Sequence, residues 1–196
     1  MSAPRRICIY CGSSRGRDPA YADGARALAR ALVRRGLGLV YGGASVGLMG
    51  VVADEVLALG GSAIGVIPRS LQRKELAHAG LTELIVTSSM HERKARMAEL
   101  ADGFIALPGG VGTLEELFEI WTWAQLGIHA RPCGLLNVAG YFDALAGFLD
   151  RAVDEGFVRP PHRAMLLLES DPDRLLDRFA AYAPPRVEKW LSSEAT

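Results

Sequence analysis

The run Pro108-Gly109-Gly110-Val111-Gly112-Thr113-Leu114-Glu115-Glu116 follows the apolar stretch Phe104 to Leu107 and leads into a stripe at helical spacing, Leu114, Leu117, Phe118, Trp121 and Ala124. A strand, a glycine turn and a helix in that order make an anion site. Glycine lets the backbone approach a ligand closely, and the unpaired N–H groups at the positive end of the helix favour a phosphate by up to about 2 kcal/mol when partly buried. The turn is not a dinucleotide fingerprint, because Gly110-x-Gly112 continues to Glu115 where a third glycine belongs, and it is not a P-loop, because no Lys-Ser/Thr pair follows Gly112. A monophosphate suits it better than NAD or ATP. Glu116 has two readings at this point. Thr113-x-x-Glu116 spells a capping box for a helix beginning at Thr113, in which Glu116 reaches back to its own helix start. Alternatively, a glutamate beside a bound phosphate stands close to whatever the phosphate carries.

Ser89-x-x-Glu92 is a second capping box, which gives Glu92 the capping role and sets Arg93 and Lys94 in the first turn of the next helix. Cations there oppose the helix dipole by a few tenths of a kcal/mol each, so they call for an anion, whether a ligand or acidic neighbours on the protein. Arg93 and Glu116 both fall just past strand ends and can face one another. The turn Tyr41-Gly42-Gly43-Ala44-Ser45 also leads a strand into a helix. Gly42 and Gly43 either offer N–H groups to the ligand or let the helix pack closely.

The remaining reactive residue types carry less. Cys8, Cys11 and Cys133 are an odd number, which argues against a disulfide framework. Cys8 and Cys11 spell C-x-x-C inside the apolar run Ile7 to Tyr10 rather than at a helix start, and odd spacing sends the two thiols to opposite faces of a strand. They read as small buried hydrophobes. His78, His91, His129 and His162 have no metal-ligand spacing, so no metal and no cofactor is expected.

The elements that hold these residues are short apolar runs alternating with longer amphipathic ones. Strands are expected at Arg6 to Tyr10, Gly38 to Tyr41, Ala63 to Ile67, Leu84 to Thr87, Phe104 to Leu107, Gly134 to Val138 and Met165 to Leu168. Helices are expected at Tyr21 to Arg35, Val46 to Leu59, His91 to Ala101, Leu114 to Leu126, Phe142 to Glu155 and Pro172 to Tyr182, and the tail Pro184 to Trp190 reads as a surface strap. Uniformly apolar strands belong to a parallel sheet covered on both faces. The expected class is α/β, a Rossmann-like three-layer fold with a mainly parallel, doubly wound sheet, and with 196 residues the chain makes a single nucleotide-monophosphate-binding domain, residues 1–196. Ligands bind such sheets at the carboxyl ends of the strands, where all these turns lie. Lys plus Arg equals Asp plus Glu at 22 each, so there is no net field for nucleic acid or an anionic membrane. With neither a signal peptide nor a membrane span of roughly 20 apolar residues, a cytoplasmic protein is expected.

In this order the motifs resemble the Lonely Guy (LOG) family of cytokinin riboside 5'-monophosphate phosphoribohydrolases, once labelled lysine decarboxylases. The signature P-G-G-x-G-T-x-x-E is complete at Pro108 to Glu116, Met90-His-Glu-Arg-Lys94 is similar to the family's M-H-x-R-K stretch, and Tyr10-Cys-Gly-Ser-Ser14, Tyr41-Gly-Gly43 and Gly65-Val-Ile-Pro68 resemble its other landmarks. The likeness runs from about Ile7 to Trp190. It implies Arg93 and Glu116 as the catalytic pair, substrate contacts from Glu75, Lys94, the run Gly110 to Glu116 and Thr122, and a homodimer with sites near the subunit boundary. Where the family carries three glycines after the strand tyrosine, this chain has Gly42-Gly43-Ala44.

The expected reaction is hydrolysis of the N-glycosidic bond of N6-modified AMP or AMP. Glu116 would stabilise charge on the sugar or orient water, and the glycine turn, Thr113 and Lys94 would hold the 5'-phosphate. The rival from another class is a non-catalytic carrier of a nucleotide or of molybdenum cofactor, which needs the glycine turn but not the Arg93–Glu116 pair.

Overall fold

The computed structural model describes residues 5–72 and 77–185. Alternation along the first strand, β1 (Arg6–Tyr10), divides the protein into layers: Ile7 and Ile9 enter one apolar cluster, Cys8 and Tyr10 the other. Cys11 joins the cluster of Ile7 and Ile9, so Cys8 and Cys11 do lie on opposite faces of the sheet. The same division holds in β2 (Gly38–Tyr41), where Leu39 and Tyr41 face away from Val40. Completing the sheet are β3 (Ala63–Pro68), β4 (Glu83–Thr87), β5 (Gly103–Ala106), β6 (Cys133–Leu136) and β7 (Leu166–Glu169).

All seven strands pair in parallel, in the order β4-β3-β2-β1-β5-β6-β7. The chain builds outward from β1 to β4, then returns to the other side of β1 and builds outward again. The order therefore reverses between β1 and β5, and the crevice beyond their carboxyl ends is the topological switch point.

One face is covered by α1 (Pro19–Arg34), α2 (Gly47–Ala58) and α8 (Pro172–Ala180), the other by α4 (Met90–Leu100), α5 (Val111–Gln125) and α6 (Asp143–Asp154). The pattern did not reveal two short helices, α3 (Arg69–Gln72) and α7 (Pro160–Ala164), because one turn of helix has no period to read. Helices α1 and α8 each begin with a capping aspartate followed by proline: the Asp18 side chain accepts from Ala20 N–H and that of Asp171 from Arg174 N–H. Each starts where that pair dictates, two residues before Tyr21 in the case of α1.

Candidate active site

The loop after β1 and the loop after β5 cross at the switch point and are sewn together by their backbones. Leu107 N–H donates to Tyr10 O at 2.9 Å, Gly12 N–H to Pro108 O at 3.1 Å, and Leu48 N–H, at the start of α2, to Gly12 O at 3.0 Å. Two glycines permit this density. A Cβ at Gly109 would collide with Thr113 Oγ1 and stand 2.7 Å from Gly12 N, while Gly47, at φ +60, leaves no room for a side chain against the Ser13 backbone.

Helix α5 begins at Val111 with Gly110 as its cap, a residue with no side chain to accept from the helix. This corrects the expected start at Thr113. Thr113 is the third helical residue, buried against Gly109, so Thr113-x-x-Glu116 is not a capping box here. Glycine took the cap position, where it has no side-chain signal to offer. The first intrahelical bond runs from Leu114 N–H to Gly110 O, so the N–H groups of Val111, Gly112 and Thr113 have no intrahelical acceptor, and Val111 and Gly112 are exposed. A helix start of this kind beside a glycine turn is suited to receive an anion.

The second expected capping box, at α4, is formed in its Ser89 half, while Glu92 reaches one residue past the cap. Ser89 Oγ accepts from Glu92 N–H at 3.1 Å, and Glu92 reaches back to Ser88, taking its backbone N–H at 2.7 Å and its hydroxyl. Those bonds hold the Glu92 carboxyl below the usual range. With its start fixed, α4 turns Arg93 inward. The Arg93 and Glu116 side chains are only 8% and 12% exposed, and Nη2 stands 3.6 Å from Glu116 Oε1. Gly42 makes room for the guanidinium: a Cβ there would overlap Arg93 Nη2. Arg93 Nη1 lies 3.8 Å from Met90 Sδ, and its Nε is buried with no hydrogen-bond partner among the described residues. A buried donor of this kind is suited to a ligand oxygen.

Below the pair sit Cys8, Tyr10 and Cys11. Burial pushes both thiols and the phenol up, and the charge of Glu116 adds to the effect on each. Burial alone pushes Cys133 up to about 12. All three cysteines are free and buried, so they keep their protons near neutral pH and are not nucleophiles.

Other expected site residues are placed differently. Lys94 Nζ donates to Glu115 Oε1 at 2.6 Å and Glu119 Oε1 at 3.0 Å, and its side chain is 11% exposed. Burial opposes the ammonium charge, yet the two carboxylates prevail and its pKa is raised. Gly43, at φ +79, packs against Gly65 and Val66. Leu114 is half-buried against the α5 side of the core. Thr122 is exposed, nearly two turns along α5 from Glu116, and is not brought to the Arg93–Glu116 pair in this chain. Glu75 and the Trp190 end of the expected strap lie outside the described residues.

One contact was missed in the sequence. The Tyr141 hydroxyl donates to Gly109 O at 2.6 Å, and its ring helps wall a cavity of about 240 Å³ with Tyr21, Ser13, Ser14, Gly109 and Gly110. Only the position of Gly140-Tyr141-Phe142-Asp143 just past a strand could have pointed to it.

Known proteins resemble this chain in sequence and in fold. A family model described as possible lysine decarboxylase matches residues 49–179. The chain is 51% identical over 180 residues to cytokinin riboside 5'-monophosphate phosphoribohydrolase LOG5 of Arabidopsis thaliana, covering 92% of this chain and 79% of that protein. It is also 51% identical over 180 residues to the phosphoribohydrolase LOG of Oryza sativa subsp. japonica, covering 92% and 74%. Among solved structures, the molybdenum cofactor binding protein from Rippkaea orientalis superposes with a TM-score of 0.68 at 20% identity, over 90% of this chain and 96% of that one. At that identity the likeness is one of fold.

Proposed function

This chain belongs to the Lonely Guy family of cytokinin riboside 5'-monophosphate phosphoribohydrolases, and from that premise we propose that it hydrolyses the N-glycosidic bond of a nucleoside 5'-monophosphate, N6-modified AMP or AMP, to free base and ribose 5-phosphate. The observation that carries the proposal is the Arg93–Glu116 pair, nearly buried at 3.6 Å and mounted beside a glycine-capped helix start at the switch point. A carrier would need the helix start alone.

Cleavage breaks the bond between C1' and the base nitrogen as water adds to C1', with positive charge developing on the sugar. The 5'-phosphate is received by the N–H groups of Val111, Gly112 and Thr113. That anchors the ribose with C1' towards Glu116, whose carboxylate balances the developing charge and takes a proton from the attacking water. Arg93 lies against Glu116 and directs its buried Nε–H at a ribose or phosphate oxygen. Guanidinium does not give up a proton, so the departing base takes its own from water or another acid.

Lys94 has a different part. With its ammonium committed to Glu115 and Glu119, it clamps α4 to α5 and so holds Arg93 and Glu116 in register. The same pairing opposes the older decarboxylase label, because a Schiff-base lysine needs a neutral amine and this ammonium, belonging to the only lysine among the described residues, is stabilised in its charged form.

The active unit is a homodimer in the cytoplasm. Exposed apolar side chains just beyond the end of α5, Leu126 at 67% and Ile128 at 64%, support the association, and the even charge balance supports a small-molecule partner over nucleic acid. No helix among the described residues is long and apolar enough to cross a membrane.

Incubating the protein with AMP, GMP and isopentenyl-AMP, and following free base and ribose 5-phosphate by chromatography, tests the proposal. Release from the adenine nucleotides is expected. No release from any of them overturns it in favour of a carrier.

A further inference from the structure

The turn between β6 and α6 is held more tightly than its place in the fold requires. Asn137, itself buried, donates from Nδ2 to Asp143 Oδ1 at 2.7 Å and accepts from Phe142 N–H at 2.8 Å through Oδ1. Between them Ala139 sits at φ 51, the one non-glycine residue with positive φ among the described residues, and Gly140 at φ 72 is closed in by Asp143. A left-handed alanine is strained, and such strain persists where the surroundings fix it.

What the strained turn delivers is Tyr141. The ring meets Tyr21 edge-on at 5.5 Å and Phe142 at 5.0 Å, which sets its direction, yet the residue is 41% exposed and adds little to the core. Its hydroxyl ends on a single acceptor, Gly109 O, at 2.6 Å. A trans peptide is planar, so pinning that oxygen turns the N–H of Gly110 to the opposite side and fixes the plane from which α5 begins. Gly110 has open space around it, with no atom within 4 Å of the point a Cβ would occupy, so packing at Gly110 does not fix this peptide. Gly109 is packed against Thr113 and Gly12, so packing holds the peptide from that side alone and the hydroxyl supplies the bond to its oxygen.

We propose that Tyr141 is a positioning residue for the phosphate cradle: through Gly109 O it orients the Gly109–Gly110 peptide so that the first N–H groups of α5 converge on the 5'-phosphate of the substrate. The inference rests on the proposed nucleotide hydrolysis and deepens it.

Tyr141→Phe keeps the ring and its contact with Tyr21 and removes only the hydroxyl. The variant raises KM for the nucleotide, and the inhibition constant of ribose 5-phosphate, about tenfold, while kcat stays within about twofold, as loss of preorganisation in binding requires. Adenosine, which has no phosphate, binds both proteins equally, a difference that a general structural role would not produce. Thermal midpoints of the two proteins are the same. Unchanged KM and inhibition constant in the variant, a loss confined to kcat, equal weakening of adenosine, or a lowered thermal midpoint overturns the role of Tyr141. Failure of the wild-type protein to release base or bind ribose 5-phosphate instead overturns the hydrolase reading on which it rests.

Discussion

Gly42→Ala separates the catalytic geometry from the stability of the fold. A Cβ at Gly42 would stand 2.3 Å from Arg93 Nη2 and 3.1 Å from Met49 Sδ. Normal contact is about 3.5 Å, so the guanidinium must withdraw by about 1 Å. It cannot do so without disturbing its approach to Glu116, because both side chains are almost fully enclosed. A displacement of that size in a reacting constellation costs on the order of 10²-fold in kcat/KM. The backbone at Gly42 is not in the left-handed region, so alanine is sterically allowed there and the unfolded chain loses entropy, a gain of about 0.4–1 kcal/mol that offsets the crowding. The assay is base release from isopentenyl-AMP at several concentrations, alongside a thermal melt. Expected is a loss near 10²-fold with a midpoint within a few degrees of wild type. Wild-type turnover in Gly42→Ala would mean that the position of Arg93 does not matter to the chemistry.

Replacing Lys94 by Met leaves Glu115 and Glu119 facing each other without a cation, and stability falls by about 1–2 kcal/mol, seen as a drop of roughly 3–6 °C in the melt. Equal midpoints would remove Lys94 from the α4–α5 clamp. Glu92 supplies a pH test. Its folded carboxyl is held below the ordinary value of 4.5, so its contribution is complete above that pH and is lost as pH falls through the lower folded value. The difference in midpoint between wild type and Glu92→Gln is therefore constant at pH 6 and narrows towards pH 3; a gap that widens on acidification would contradict the capping geometry.

Most of the frame could be read in the sequence because burial on both faces makes the inner strands uniformly apolar, and Ile7 to Tyr10 or Phe104 to Ala106 cannot be much else. The start of α5 could not. Its cap is Gly110, which leaves no side-chain signature, while Thr113 and Glu116 carry the spacing of a box that the backbone does not use. Lys94 shows a different limit: Glu115 and Glu119 lie one turn apart on one face of their helix, which the spacing reveals, but their alignment with a lysine of another helix depends on how α4 and α5 pack. Arg93 above Gly42 and Tyr141 on Gly109 are contacts between residues far apart in the chain. They exist because parallel strands bring every loop to one edge, and single-sequence spacing carries no trace of them.

In the proposed mechanism Glu116 acts on the sugar while the glycine turn holds the phosphate. Glu116→Gln keeps the size of the side chain beside Arg93 and removes its charge. Measured on isopentenyl-AMP, release of free base should fall by at least about 10³-fold, with nucleotide affinity from calorimetry nearly unchanged. Turnover at the wild-type rate in that variant would contradict the account.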